Sequence, residues 1–373
     1  MPEKMVVEKR GELKNKMILG SDVVEPRNPL LMAPPDCREI VYYVLDLNTA
    51  EVSSLPRIVF GNGCQPPAGV VGSTLYVFGG GKSFSSGDGD DSAKSKPKKG
   101  KRKQKGLFSC HMLDLTKPKD GWRLATAGLD QSPAVRANGA WPEGIVEFGG
   151  KIYVFDNSES GFIGEVFDPQ HNNWRRLKSP PFPPPPCGDG DQLFDYRTLT
   201  LPIMADHKRN RIMVYFQYIK TIYAYYPCED QWRCLVEDLK GGWLRWGEPV
   251  TIADDGVIYI HNPRMKAFFR AYDTVTKEWL NVRLSPEAEA KADYQSYLIY
   301  SEYDALLYRG NGVLCLIHSV FRCDDIPSFE HIVQFKVQLV NLNANSKDVL
   351  VTPLSSQNYN LPSRCSTFHY LPV

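Results

Sequence analysis

The chain has 373 residues, 42% hydrophobic and 23% charged, with a net charge of +1. Such a composition supports a large core, and the near-zero charge excludes a global field that would draw nucleic acid or an anionic membrane. No run of about 18 apolar residues occurs, so no membrane-spanning helix is expected.

In chain order, residues 1–28 are charged and show neither an apolar signal core nor an amphipathic stripe, so a flexible N-terminal segment is expected there. Residues 29–373 are read as one all-β domain. Leu30-Leu31-Met32-Ala33 is a short apolar run, followed by Val44-Leu45-Asp46-Leu47 and Val52-Ser53-Ser54-Leu55. Then a two-part unit recurs. Its first part is a turn leading into a β-prone run: Gly72-Ser73 before 74–78, Gly149-Gly150 before 151–155, Lys208-Arg209-Asn210 before 211–215, Asp254-Asp255-Gly256 before 257–260, and Tyr303-Asp304 before 305–308. A second apolar run precedes each, so the part reads as a hairpin. Its second part is a strand ending near Asp, a polar turn and a Trp. Asp114 precedes Trp122, Asp168 precedes Trp174, Pro227 precedes Trp232 and Asp273 precedes Trp279. A last copy runs from Phe335 to Asn341 and on to Val349-Leu350-Val351. Two hairpins per period make a four-stranded blade, and about six such periods predict a single β-propeller. A short helix is expected only over 286–292.

Six outer hairpins but only five inner ones are visible. The sixth is assembled from both ends: Ser366 to Leu371 is expected to be the innermost strand of blade one, with Leu30 to Ala33 beside it, which removes free sheet edges.

The run Tyr76-Val77-Phe78-Gly79-Gly80 and the Asp-to-Trp pairs resemble the kelch-repeat family, particularly the kelch portion of plant F-box/kelch proteins, over about residues 30 to 373. The resemblance implies a kelch-like propeller that binds proteins, in the cytoplasm, the nucleus or both. It also implies a substrate-receptor role in a ubiquitin ligase as an alternative, although no F-box helices are evident before the blades.

Propeller function sits on loops held by the blades. The chemically rich loops are 81–106, 180–196, 240–248 with Trp243, Arg245 and Trp246, 261–266 with Arg264, and Arg309-Gly310-Asn311. All are expected on one face, opposite the tight turns. Trp and Arg are favoured at interface hot spots, and arginine forks suit carboxylates. Trp243, Arg245, Trp246, Arg264 and Arg309 are therefore the candidate partner-binding residues, and the expected partner is a protein offering an acidic or phosphorylated segment. The alternative for the tryptophans is packing between blades. The insert 85–106 carries no apolar residue beyond an alanine and is expected to be disordered. Its basic run, Lys98, Lys99, Lys101, Arg102 and Lys103, reads as a nuclear-import signal or as a solvated loop, with nucleic acid contact a lesser alternative. A monomer is expected.

Nine cysteines without a C-x-x-C pair, and seven dispersed histidines, read as free thiols and offer no zinc-ligand spacing, so no metal or cofactor is expected. No G-x-S-x-G, H-E-x-x-H or phosphate-binding glycine loop occurs, and the chain is read as a non-enzyme. A propeller enzyme with residues converging at the ring axis is the alternative, since catalytic sets are spatial.

Overall fold

The computed structural model describes residues 16–22, 37–49, 51–61, 68–79, 109–125, 144–158, 161–181, 199–216, 219–237, 248–262, 265, 267–286, 304–320, 329–343, 346–360 and 367–372. Among these the architecture is all-β, built from antiparallel meanders.

The first unit joins the two ends of the chain. β1 (Lys16–Asp22), β2 (Cys37–Asp46), β3 (Val52–Ser54) and β4 (Ile58–Gly61) form a sheet with the C-terminal strand β25 (Thr367–Pro372), which lies beside β1. Met17, Ile18 and Leu19 of β1 are buried. The C-terminal strand thus has an N-terminal partner, but that partner is not Leu30 to Ala33, which lies outside the described residues. It is a strand inside the 1–28 segment expected to be flexible. The local charge hid three consecutive apolar residues, enough for one short strand backed by β2 on one side and β25 on the other.

The next three units are regular four-stranded meanders. β5 (Ala68–Val71), β6 (Thr74–Gly79), β7 (Ser109–Asp114) and β8 (Arg123–Leu124) make the second. β9 (Gly144–Phe148), β10 (Lys151–Ser158), β11 (Gly161–Asp168) and β12 (Asn173–Arg176) make the third. β13 (Leu199–Asp206), β14 (Arg211–Phe216), β15 (Thr221–Tyr226) and β16 (Gln231–Val236) make the fourth. The fifth unit, β17 (Val250–Ile252), β18 (Val257–His261), β19 (Phe269–Asp273) and β20 (Glu278–Leu284), is fused to the sixth, β21 (Asp304–Tyr308), β22 (Val313–Val320), β23 (Phe329–Asn343) and β24 (Ser346–Asn360). Parallel pairing of Asn281–Leu284 with Asp348–Val351 makes them one eight-stranded sheet. Of the short helix expected over 286–292, only Pro286 is described.

The Asp positions of the repeat close turns. Asp46 Oδ1 accepts from the amides of Asn48 and Thr49, Asp114 from Thr116, Asp168 from Gln170 and His171, and Asp273 from Val275 and Thr276. This is the Asx turn that a short acidic side chain makes with the backbone two residues on. The Trp positions reach the unit before. Trp122 Nε1 donates to the Pro56 carbonyl at 2.8 Å, and Trp232 Nε1 to that of Lys178 at 2.7 Å. Pro56 lies just after β3 and Lys178 just after β12, so each bond pins one sheet to its neighbour.

Six apolar clusters hold the units together, each shared by two of them. Ile40, Tyr42, Leu75 and Val77 join the first to the second. Phe78, Cys110, Val154 and Trp174 join the second to the third, and Phe155, Ile212 and Tyr225 the third to the fourth. Tyr215, Ala224, Ile258 and Tyr272 join the fourth to the fifth, and Tyr259, Phe269, Leu316 and Phe335 the fifth to the sixth. Leu19, Tyr43 and Leu45 meet Cys315, Ile317 and Tyr359, which returns the sixth unit to the first. The first strands of successive units adjoin one another.

The β25–β1 pairing completes the first unit, so deleting residues 365–373 should bare the β1 edge. The expected result is loss of several kcal/mol out of a typical total of about 5–15 kcal/mol, seen as a lower melting temperature in thermal denaturation. Melting indistinguishable from the full chain would show that β25 does not hold the fold.

Candidate functional site

In an antiparallel meander, connections between the second and third strands, and from the last strand to the next unit, leave on one side. The other turns leave on the opposite side. The strand ends that flank 80–108, 182–198, 238–247 and 263–264 are of the first class. Trp243, Arg245, Trp246 and Arg264, and the basic run Lys98, Lys99, Lys101, Arg102 and Lys103, lie outside the described residues.

Arg309 is described, and its placement corrects the sequence reading. It follows β21, the first strand of its unit, so it sits in a tight turn on the opposite side from those loops. Ala305 to Tyr308, which sequence alone places with the second strands of the other units, is the first strand of its unit, and the second is Val313–Val320. The turn is drawn tight by Gly310, Asn311 and Gly312, all with positive φ. A side chain on Gly312 would come within 2.6 Å of the Val337 carbonyl, so the close approach needs glycine. Arg309 Nη1 donates to Gln334 Oε1 at 3.2 Å. Its guanidinium also lies near the Cys315 thiol, which burial pushes up to about 11 against the pull of that charge. Arg309 is thus engaged within its own sheet.

What the described residues do build is a groove of about 700 Å³ between the fourth and fifth units. Leu235, Val236 and Glu237 form one wall, and Tyr272, Lys277 and Trp279 the other. Leu235 has no partner in β15, because the register steps from Tyr223–Cys234 to Ile222–Val236. This bulge places an extra apolar residue on the rim. Trp279 occupies the repeat position of Trp232, yet where Trp232 is buried Trp279 is only partly covered. Its ring meets Tyr272 edge-on at 5.2 Å and carries the Arg270 guanidinium over its face at 4.4 Å. Glu237, on the rim, is the last described residue before the segment holding Trp243, Arg245 and Trp246. The groove therefore lies at the root of the loop singled out by sequence. Burial pushes the Tyr272 phenol up, Asp273 adding to it, and raises the Cys234 thiol, with Glu237 adding to it. Cys234 is accordingly not an activated nucleophile. The groove thus presents an aromatic face, a cation and flanking carboxylates.

Below the same junction, on the tight-turn side, the fourth unit carries a buried ion pair that reaches the fifth. Arg211 Nε donates to Asp206 Oδ2 at 2.8 Å, and its Nη2 reaches Thr274 Oγ1 in the next unit at 3.0 Å. Thr274 donates in turn to the Gly256 carbonyl, and Arg209 Nη2 donates to that of Asp255 at 2.7 Å. Gly256 has φ of 87°, and a β-carbon there would meet the Arg209 guanidinium at 2.5 Å.

Among the described residues no group of three or more His, Cys, Asp or Glu is placed to hold a metal ion, and no helix is long and apolar enough to cross a membrane.

No known family's sequence profile matches the chain, and no curated protein matches it. Solved structures are similar in shape at low identity. "Structure of YjhT" is 13% identical, covers 88% of this chain and 96% of its own, and has a TM-score of 0.48. A putative 6-phosphogluconolactonase from Bacteroides uniformis is 10% identical over 96% and 83%, with a TM-score of 0.40. The β-propeller domain of the trilobed protease from Pyrococcus furiosus is 11% identical over 92% and 96%, with a TM-score of 0.36. At these values the similarities say nothing of activity or partner.

The buried pair sets a stability expectation. Arg211→Met keeps bulk but leaves Asp206 without its main cation, and should cost about 3–5 kcal/mol. Removing both charges, as in Asp206→Leu with Arg211→Met, should recover most of it. Urea denaturation of the three proteins measures both; a single variant as stable as the parent would show that the pair holds nothing.

Proposed function

We propose that this chain is a single closed kelch-like β-propeller of six four-stranded blades, and that it works as a protein-interaction module. The observation that carries the architecture is the cycle of six shared cores, each unit packed on the next and the sixth on the first. The recurrence of Asp-capped turns and of Trp-to-carbonyl bonds between units supports the kelch character.

The partner is engaged at the loop side between blades four and five. The groove supplies Trp279 and Leu235 as an apolar seat, and the adjoining 238–247 segment supplies Trp243, Arg245 and Trp246. With Arg264 from the neighbouring loop, that segment makes the side cationic, which suits an acidic or phosphorylated segment of a protein. Arg309 takes no part in this reading.

Affinity purification of the tagged chain followed by mass spectrometry identifies the partner, and titration of the purified pair tests the site. Arg245→Ala and Arg264→Ala should each weaken binding about tenfold, roughly 1.4 kcal/mol, with no change in melting temperature, and Arg309→Ala should leave affinity unchanged. Undiminished binding by both loop variants, with loss on substituting the tight turn at Gln170 and His171, would place the interface on the opposite side.

A further inference from the structure

β24, the last strand of the sixth unit, has 15 residues and two unlike halves. In the first, Asp348–Val351 is flanked by β23 on one side and by β20 of the fifth unit on the other. Beyond Val351 no strand among the described residues pairs with its outer edge. A bulge marks the change. Pairing with β23 steps from Phe335–Pro353 to Gln334–Ser355, which leaves Leu354 unopposed and 51% exposed. A bulge bends its strand, and this one parts the covered half from the open one. From Ser355 to Asn360 the pairing with β23 is regular, and Ser355, Ser356, Asn358 and Asn360 are exposed. Tyr359 is buried in the core shared with the first unit, and its hydroxyl donates to Gln357 Oε1 at 2.9 Å. The open half is thus held firmly in place.

An open edge is a template for another strand, and proteins guard theirs by brevity, charge or bulges. The outer strands of the earlier units carry such guards. β3, β4 and β8 have three, four and two residues. β12 carries Arg175 and Arg176, and β16 carries Arg233 and is broken by the bulge at Leu235. The edge of β20 is covered by β24 itself. The stretch 355–360 has none of these devices: it is six residues of regular strand, and no charged residue occurs between Asp348 and Arg364.

We propose that the open half of β24 is a homodimer interface, in which residues 355–360 of one copy pair antiparallel with the same residues of a second copy about a twofold axis. The chain is then a dimer, where its sequence alone suggests a monomer. Side-chain chemistry selects a second copy as the occupant. Antiparallel pairing of a strand with itself sets each residue against another from the same short stretch, so a charge near the middle would oppose its own like. Here there is no charge to oppose. The Ser, Gln and Asn side chains each both donate and accept, so every one of them can bond to its own kind. Leu354, exposed beside the stretch, gains cover from the second copy. Twofold pairing uses both open edges at once and leaves none for a third copy, so assembly stops at the dimer. The interface belongs to the sixth unit and does not depend on the groove between the fourth and fifth.

Sedimentation equilibrium of the full chain tests the interface. A paired length of about 20 Å belongs with weak contacts, so a monomer–dimer equilibrium should appear within about 1–200 μM. Gln357 lies near the middle of the stretch, where the two copies of a residue come closest. Gln357→Lys and Gln357→Glu each place like charges there and should weaken self-association about tenfold. An equimolar mixture of the two should associate at least as tightly as the parent, which a merely structural effect of either substitution would not produce. A parent that stays monomeric throughout would overturn the interface and leave the edge to an extended segment of another protein. Variants that dimerise as the parent does, or a mixture no tighter than either variant alone, would overturn it as well.

Discussion

A strand buried on both faces needs a neighbour on each side, and this constraint organises the whole chain. Every residue of β14, from Arg211 to Phe216, is buried, and so is every residue of β18. Sheets built of such strands cannot end a stack, because the last would leave an apolar face in water. Here the stack has no end: the cluster of Leu19, Tyr43, Ile317 and Tyr359 seats the sixth unit on the first. Aromatic residues are the largest of the fully buried side chains. Phe78, Phe155, Phe167, Tyr215, Tyr225 and Phe269 are fully buried, and edge-on contacts such as Phe78 with Trp174 at 5.3 Å cross from one unit to the next.

The two sides of this assembly do different physical work. On the tight-turn side, carboxylates are committed to structure. Partial burial works against ionisation of Asp168, but the hydrogen bonds from Lys151 and His171 outweigh it and hold its carboxyl well below the usual range. Asp230 is likewise lowered by Tyr225 and Arg175 against its desolvation. Groups bound in this way are poorly suited to a partner. Beside the groove Trp279 is left only partly covered, where its repeat counterpart Trp232 is buried.

Much of the strand plan was legible because its signals are local. Alternation, turn glycines and the Asp-to-Trp spacing located β6, β14 and β18 within a residue or two, and the start of β10, which runs three residues beyond the expected end at Phe155. What escaped depended on long-range pairing. Met17-Ile18-Leu19 is too short to stand out until β2 and β25 flank it. Ala305 to Tyr308 resembles a second strand locally, and only its pairing with Val313–Val320 shows it to be a first, which moves Arg309 to the other side. The parallel bond between β20 and β24 has no sequence signature. Of the site, Trp279 was visible as one of four equivalent tryptophans, but the groove it borders depends on the bulge at Leu235.

The account rests on the two ends of the chain meeting in one sheet. Disulfide trapping across β1 and β25 tests this most directly, with cysteines placed at Gly20 and His369, which face one another in the register. Mild oxidation should give a 20–369 crosslink within single molecules, identified by mass spectrometry, with a raised melting temperature that reduction reverses. Absence of that crosslink, or its formation only between molecules, would contradict closure of the first unit and with it the continuous cycle of cores.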